Sequence, residues 1–155
     1  MIYAQPKPTK QDKKMKKLKK LGTKSLTNKL DQALRDLFKA QVVRGERKLK
    51  CFICGLETGY YSPKDNPHGL QIGHFASRSV FSLRWDLKNC EFSCSRCNYN
   101  HEYNILPFTV AMLKAYGQKR IDYLNAQYEA YKKTGKTMNI GQKTELLETL
   151  EALQG

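Results

Sequence analysis

Apolar residues recur at helical spacing toward both ends of the chain, and the centre between them does not follow that pattern. From Ser25, the residues Leu26, Leu30, Ala33, Leu34, Leu37, Phe38 and Val42 return every three or four positions, which predicts an amphipathic helix within residues 25–48. Ser25 or Thr27 can cap this helix and Gly45 can end it. Helical spacing resumes at Pro107, a residue suited to a first helical turn, with Val110, Leu113, Ala115 and Tyr116 behind it. A second C-terminal helix is expected from Gln118 to Lys133 on Ile121, Leu124, Tyr128 and Tyr131, broken by Gly135. A third is expected from Gln142 to Gln154 on Leu146, Leu147, Leu150 and Leu153. These C-terminal helices fill residues 105–155. The centre, residues 49–104, reads as short strands and turns rich in Gly, Pro, Ser and Asn. Its clearest strand is the alternating run Leu70-Gln71-Ile72-Gly73-His74-Phe75. The pattern predicts an α+β fold, with one domain over residues 23–155 and a preceding segment, 1–22, that has no packing pattern.

Charge changes how that leading segment is read. The chain has 155 residues with 28 Lys and Arg against 14 Asp and Glu, a formal net charge of +14. Residues 1–50 hold 16 of the basic and 4 of the acidic residues, so most of the excess lies in the first third. Such an excess fits a polyanionic partner and argues against a small acidic-substrate site. Lys16, Lys17, Lys19 and Lys20 belong to a run too polar and self-repelling to pack alone. Residues 1–22 are therefore expected to be a flexible basic arm, either simply solvated or ordering on nucleic-acid phosphates with Met15, Leu18 and Leu21 along one side. No apolar run is long enough to span a membrane, and the first 20 residues lack the apolar core of a secretory signal. The expectation is a cytoplasmic protein with no membrane partner.

All five cysteines fall in the centre. Four form two C-x-x-C pairs, Cys51 with Cys54 and Cys94 with Cys97, separated by 39 residues. With no export signal, disulfides are disfavoured. Two C-x-x-C pairs fit one tetrahedral zinc site better than two redox motifs, and Gly55 suits the turn of a zinc knuckle. A zinc ion held by four thiolates is coordinatively closed, so it holds the fold and leaves chemistry to other residues. Cys90 reads as a small buried apolar residue.

The stretch between the pairs is long enough to carry a site. His74 lies on the candidate strand, Asn89 follows fifteen residues later, and Asn98 comes nine after that, directly behind the second knuckle. This order resembles the HNH, or ββα-metal, nucleases. Phosphodiester hydrolysis needs a base for the attacking water and a cation near the leaving oxygen. A neutral His is a base suited to neutral pH. An Asn on its other nitrogen would orient the ring, and a second Asn at a helix start offers a hard oxygen to Mg2+ or Mn2+. The residues so assigned are His74 as base, Asn89 as orienting group and Asn98 as metal ligand, with His101 or Glu102 one turn on as a further ligand or a solvated helix face. His68 reads as a surface residue. Phe75 and Trp85 read as core. Arg78, Arg84, Lys88 and Arg96 are candidates for phosphate contacts.

The motifs Cys51-Phe-Ile-Cys54-Gly55, Gly73-His74-Phe75, Leu83-Arg84-Trp85 with Asn89, Cys94-Ser-Arg-Cys97-Asn98, then Asn104 and Tyr116-Gly117-Gln118, resemble the phage lambda NinG family, also called Rap. The resemblance covers roughly residues 25–130. The knuckle-and-Asn frame is also similar to the phage resolvase endonuclease VII. The resemblance implies a zinc-stapled ββα-metal fold and a recombination endonuclease that cuts branched DNA such as Holliday junctions and D-loops. It implies one structural Zn2+, a catalytic Mg2+ or Mn2+, and the roles given above for His74, Asn89 and Asn98. Most HNH sequences place an Asp before the His, where this chain has Gly73. Gln71, on the same strand face, or His101 would then supply another ligand. A junction has two-fold symmetry and needs two cuts, so a homodimer is expected. A zinc-bearing DNA-binding protein without catalysis, or an HNH nicking enzyme of another purpose, is the alternative.

Overall fold

The computed structural model describes residues 9–19 and 22–155. The elements run α1 (Lys10–Lys19), α2 (Thr23–Val43), β1 (Leu70–His74), α3 (Phe81–Arg84), β2 (Cys90–Cys94), α4 (Ser95–His101), α5 (Leu106–Tyr116), α6 (Gln118–Thr134) and α7 (Ile140–Ala152). The fold is mixed α and β with a small two-stranded sheet. Contacts divide it into two compact units, one running to Leu37 and resuming at Met138–Gly155, the other Phe38–Thr137.

In the first unit, α1 forms within the segment read as a flexible arm. Thr9 and Asp12 cap it reciprocally: the Asp12 amide donates to Thr9 Oγ1 at 3.1 Å, and the Thr9 amide donates to the Asp12 carboxylate at 2.8 Å. Helix α2 starts at Thr23, so Ser25 and Thr27 lie inside it and do not cap it. Its inward stripe in this unit, Leu26, Leu30, Ala33, Leu34 and Leu37, is buried as the periodicity predicted. Helix α7 begins at Ile140, two residues before the expected start, because Asn139 and Gln142 form a capping box. Its buried face is Lys143, Thr144, Leu147 and Leu150, whereas Leu153 is 48% exposed. The buried Lys143 ammonium donates to Thr27 Oγ1 at 3.0 Å, which offsets its desolvation.

The second unit holds the cysteines and the sheet. Strands β1 and β2 pair antiparallel, with Leu70 opposite Cys94 and His74 opposite Cys90. Helix α4 follows β2 with no intervening loop and lies against both strands. The apolar core is Phe75, Val80, Leu83, Phe108, Met112, Ile121 and Leu124. Helix α5 turns Phe108 and Met112 inward, and Val110, Leu113 and Tyr116 lie on its more exposed side, the reverse of the expected stripe. Its sequence is apolar on nearly every side, so spacing alone offered two faces, and contact with α4 and α6 selects one. In α6, Ile121 and Leu124 are buried as expected, but Tyr128 is 39% exposed.

Glu91 is a carboxylate buried in β2, and it needs charged company. Arg47 forms an ion pair with it and the Tyr116 hydroxyl donates to it. Burial and the Glu91 hydrogen bond together push the Tyr116 hydroxyl up to about 12, so it remains a donor. The Arg47 guanidinium also lies 4.0 Å from the Phe38 ring centre. Replacing Arg47 by Ala leaves a buried charge without its counter-ion, which typically costs about 3–5 kcal/mol. Urea denaturation should show a loss of that size. A loss below about 1 kcal/mol, the range of exposed pairs, would contradict this reading of the pair.

Candidate functional site

The first C-x-x-C pair sits in a tight turn. The Gly55 amide donates to the Cys51 carbonyl at 2.9 Å, and Gly55 takes a positive φ of 76°, a conformation that favours glycine. The Phe52 amide donates to the Phe92 carbonyl at 2.8 Å and ties this turn to β2. The second pair spans the junction of sheet and helix: Cys94 ends β2 and Cys97 is the third residue of α4. The ligand atoms of Cys51, Cys54, Cys94 and Cys97 all lie within 4.8 Å of one another, and the Cys54 and Cys94 sulfurs are 3.8 Å apart. A tetrahedron with Zn–S bonds of about 2.3 Å has edges of about 3.8 Å, so these four residues can hold a zinc ion. Burial raises the Cys51 thiol, but backbone N–H groups of Cys54, Cys94 and Ile53 outweigh it and bring it down to about 7. Burial and the neighbouring sulfurs push Cys97 up. Four thiols this close cannot all ionise without a cation among them. Cys90 is fully buried in β2, as its reading as an apolar filler expected.

The second C-x-x-C pair places Asn98 beside β1. Asn98 lies directly behind Cys97, and its Nδ2 donates to Gln71 Oε1 on β1 at 3.0 Å. Its Oδ1 lies 3.3 Å from where a β-carbon on Gly73 would be. That β-carbon would also meet Ser93 Cβ at 2.8 Å. This backbone therefore has no room for the Asp that HNH sequences carry at position 73. Gly73→Ala should destabilise the unit by about 1–3 kcal/mol through overpacking, read from a chemical melt. Unchanged stability would show that Ser93 and Asn98 can give way.

His74 ends β1 and is half-buried. Its Nε2 lies 2.8 Å from the Arg84 carbonyl. A carbonyl only accepts, so Nε2 carries the proton and Nδ1 is the basic nitrogen of the neutral ring. A main-chain oxygen on α3 thus holds the ring at Nε2. Asn89, expected to aim His74 directly, is fully buried and spends its amide on main chain. Its Oδ1 accepts from the Ala76 amide at 2.7 Å, and its Nδ2 donates to the Ala76 and Leu83 carbonyls, each at 3.0 Å. Asn89 staples the loop whose end presents the Arg84 carbonyl, so any effect on His74 through these bonds is indirect.

His101 packs beneath this loop and not on a solvated face. Its Nε2 donates to the Phe75 carbonyl at 2.8 Å, and its ring centre lies 4.9 Å from that of Phe108. Its Nδ1 is buried without a hydrogen-bond partner. Glu102 and His68 are exposed, and Phe75 and Trp85 are buried.

Of the proposed phosphate contacts, Arg78, Lys88 and Arg96 are exposed. Arg84 is half-buried, with its guanidinium 5.4 Å from the Trp85 ring centre. The Lys88 ammonium lies 4.4 Å from the ring centre of Tyr123. Lys16 is exposed; the side chains of Lys17 and Lys19, and all of Lys20, lie outside the described residues. Among the described residues no helix is long and apolar enough to cross a membrane.

The family model for the Bacteriophage Lambda NinG protein matches residues 3–153. Two curated relatives, each described as Protein ninG, come from Escherichia phage 933W and Enterobacteria phage VT2-Sa. Each is 24% identical over 119 residues, which cover 76% of this chain and 55% of the relative. The chain therefore spans little more than half the length of the curated relatives it matches. No solved structure matches it.

Proposed function

Because the chain belongs to the bacteriophage lambda NinG family, we propose that it is a metal-dependent endonuclease that cuts branched DNA, such as Holliday junctions and D-loops, during phage recombination. One observation carries this reading. His74, its Nε2–H held by a carbonyl, directly follows the side-chain-free Gly73, beside which a zinc-ready knuckle sets the hard oxygen of Asn98.

The chemistry follows from those groups. His74 Nδ1 takes the proton of a water molecule. The water oxygen attacks phosphorus in line, the bond from phosphorus to the leaving deoxyribose oxygen breaks, and that oxygen takes a proton from solvent water. A divalent cation held at Asn98 Oδ1, Mg2+ or Mn2+, would neutralise charge on the phosphate and the leaving oxygen. Asn98 is a neutral donor, so such a cation would also need oxygens from the DNA phosphate and water. A zinc ion held by Cys51, Cys54, Cys94 and Cys97 would fix the start of α4 and take no part in the step. Arg78, Lys88 and Arg96 contact flanking phosphates, and the basic N-terminal segment adds affinity that falls with salt. Two chains act together, one for each cut of a symmetric junction.

A labelled four-way junction incubated with the zinc-loaded protein tests this. Cleavage should appear with Mg2+ or Mn2+ and be absent with chelator. A junction that is bound but left intact under every divalent cation would make the protein a DNA-binding module.

A further inference from the structure

Asn98 can serve a cation only if its oxygen, and not its NH2 group, faces the site. The two ends of a carboxamide are nearly the same size, so packing does not choose between them. A chain of hydrogen bonds with a fixed polarity does. Ser95 Oγ donates its single hydrogen to main-chain carbonyls, to Pro67 at 2.8 Å and more weakly to Gly69 at 3.4 Å. Toward Gln71 the same oxygen can then only accept, and Gln71 Nε2 donates to it at 3.3 Å. That fixes the Gln71 amide with Oε1 at the other end, where it accepts from Asn98 Nδ2 at 3.0 Å. With its NH2 end held there, Asn98 must turn Oδ1 toward Gly73.

We infer that Gln71, oriented by Ser95 and the Pro67 carbonyl, is a positioning residue that holds the Asn98 amide with its oxygen presented to a divalent cation. This rests on the proposed role of Asn98. Residues behind a metal ligand typically alter metal affinity by about 10- to 100-fold when removed.

The variant for the test is Gln71→Met, which keeps the side-chain length and removes both polar ends. Gln71→Glu keeps an acceptor for Asn98 Nδ2. The probe is Mn2+ alone, and the readout is paramagnetic broadening of the Asn98 side-chain amide resonances in zinc-loaded protein. The Mn2+ concentration for half-broadening should rise about 10- to 100-fold in Gln71→Met. Gln71→Glu should need no more Mn2+ than wild type. Melting temperature and zinc content should match wild type in both. Equal Mn2+ demand in wild type and Gln71→Met overturns the inference, and so does a wild-type Asn98 amide that Mn2+ does not broaden. The junction assay separates this outcome from the parent reading: a protein that cuts with Mn2+ while Gln71→Met keeps the wild-type metal dependence refutes only the role of Gln71. A wild type that cuts nothing refutes the nuclease, while the amide readout still reports on Gln71.

Discussion

Cys51→Ser should leave residues 38–137 without a stable fold, and the wild-type protein as purified should carry about one zinc ion per chain. The size of the effect follows from where the ligands lie. Cys51 begins the turn tied to β2 through Phe52, Cys94 ends β2, and Cys97 lies in the first turn of α4. One ion would therefore clamp together three elements in a unit whose sheet has two strands and whose core is modest. Structural zinc contributes an apparent binding free energy of about 10–16 kcal/mol. That is comparable to or larger than the whole stability of a typical domain, about 5–15 kcal/mol. A strong chelator should reproduce the unfolding, and added Zn2+ should reverse it. Elemental analysis and a thermal melt on the same sample check both parts. Zinc-free protein that melts at the wild-type temperature would remove zinc from the fold.

His74→Ala should lower single-turnover cleavage by about 100- to 10,000-fold, the usual worth of a positioned acid–base group. Junction affinity and zinc content should stay near wild type, because neither the knuckles nor the basic residues are touched. Excess Mn2+ should not restore cutting, since a cation cannot replace the missing proton acceptor. Asn98→Ala should also fail to cut, but extra Mn2+ should recover part of its rate, because what it loses is a metal ligand. Cleavage at several Mn2+ concentrations, beside a binding measurement on the same preparations, separates the two patterns. If excess Mn2+ rescues both variants alike, the division of roles between them is wrong.

The cluster of four cysteines was legible because a knuckle is a local object. C-x-x-C brings two sulfurs together within one turn, and the two pairs then need only be neighbours in space. The strand bearing His74 was legible from its alternation, and its partner strand falls within the cysteine-bearing centre that the sequence marked. The partner of the His74 ring was not. Every residue has a carbonyl, so the Arg84 oxygen leaves no mark in the sequence, and Asn89 looked like the natural orienting group. Its buried amide instead satisfies main-chain groups of a loop at Ala76 and Leu83. Gln71 could be placed on the face of Gly73, but the direction of its amide depends on Ser95 and Pro67, which only tertiary contact brings to it.

Among the helices, clean amphipathic spacing gave the inward face of α2 in the first unit, from Leu26 to Leu37. It misled in α5, where apolar residues surround the helix, and in α7, where a buried lysine partnered by Thr27 occupies a core position that no hydrophobic pattern would assign to it. The Arg47–Glu91 pair joins residues 44 positions apart, and charges that distant carry no periodic signal.

The most direct test of the central claim places wild type and His74→Ala side by side on a labelled four-way junction, under single-turnover conditions with saturating Mn2+. Wild type should convert the junction to nicked duplex products, and His74→Ala should bind it and leave it essentially uncut. Equal cutting by the two proteins, or an intact junction in both, would contradict the assignment of this fold as a His74-dependent nuclease.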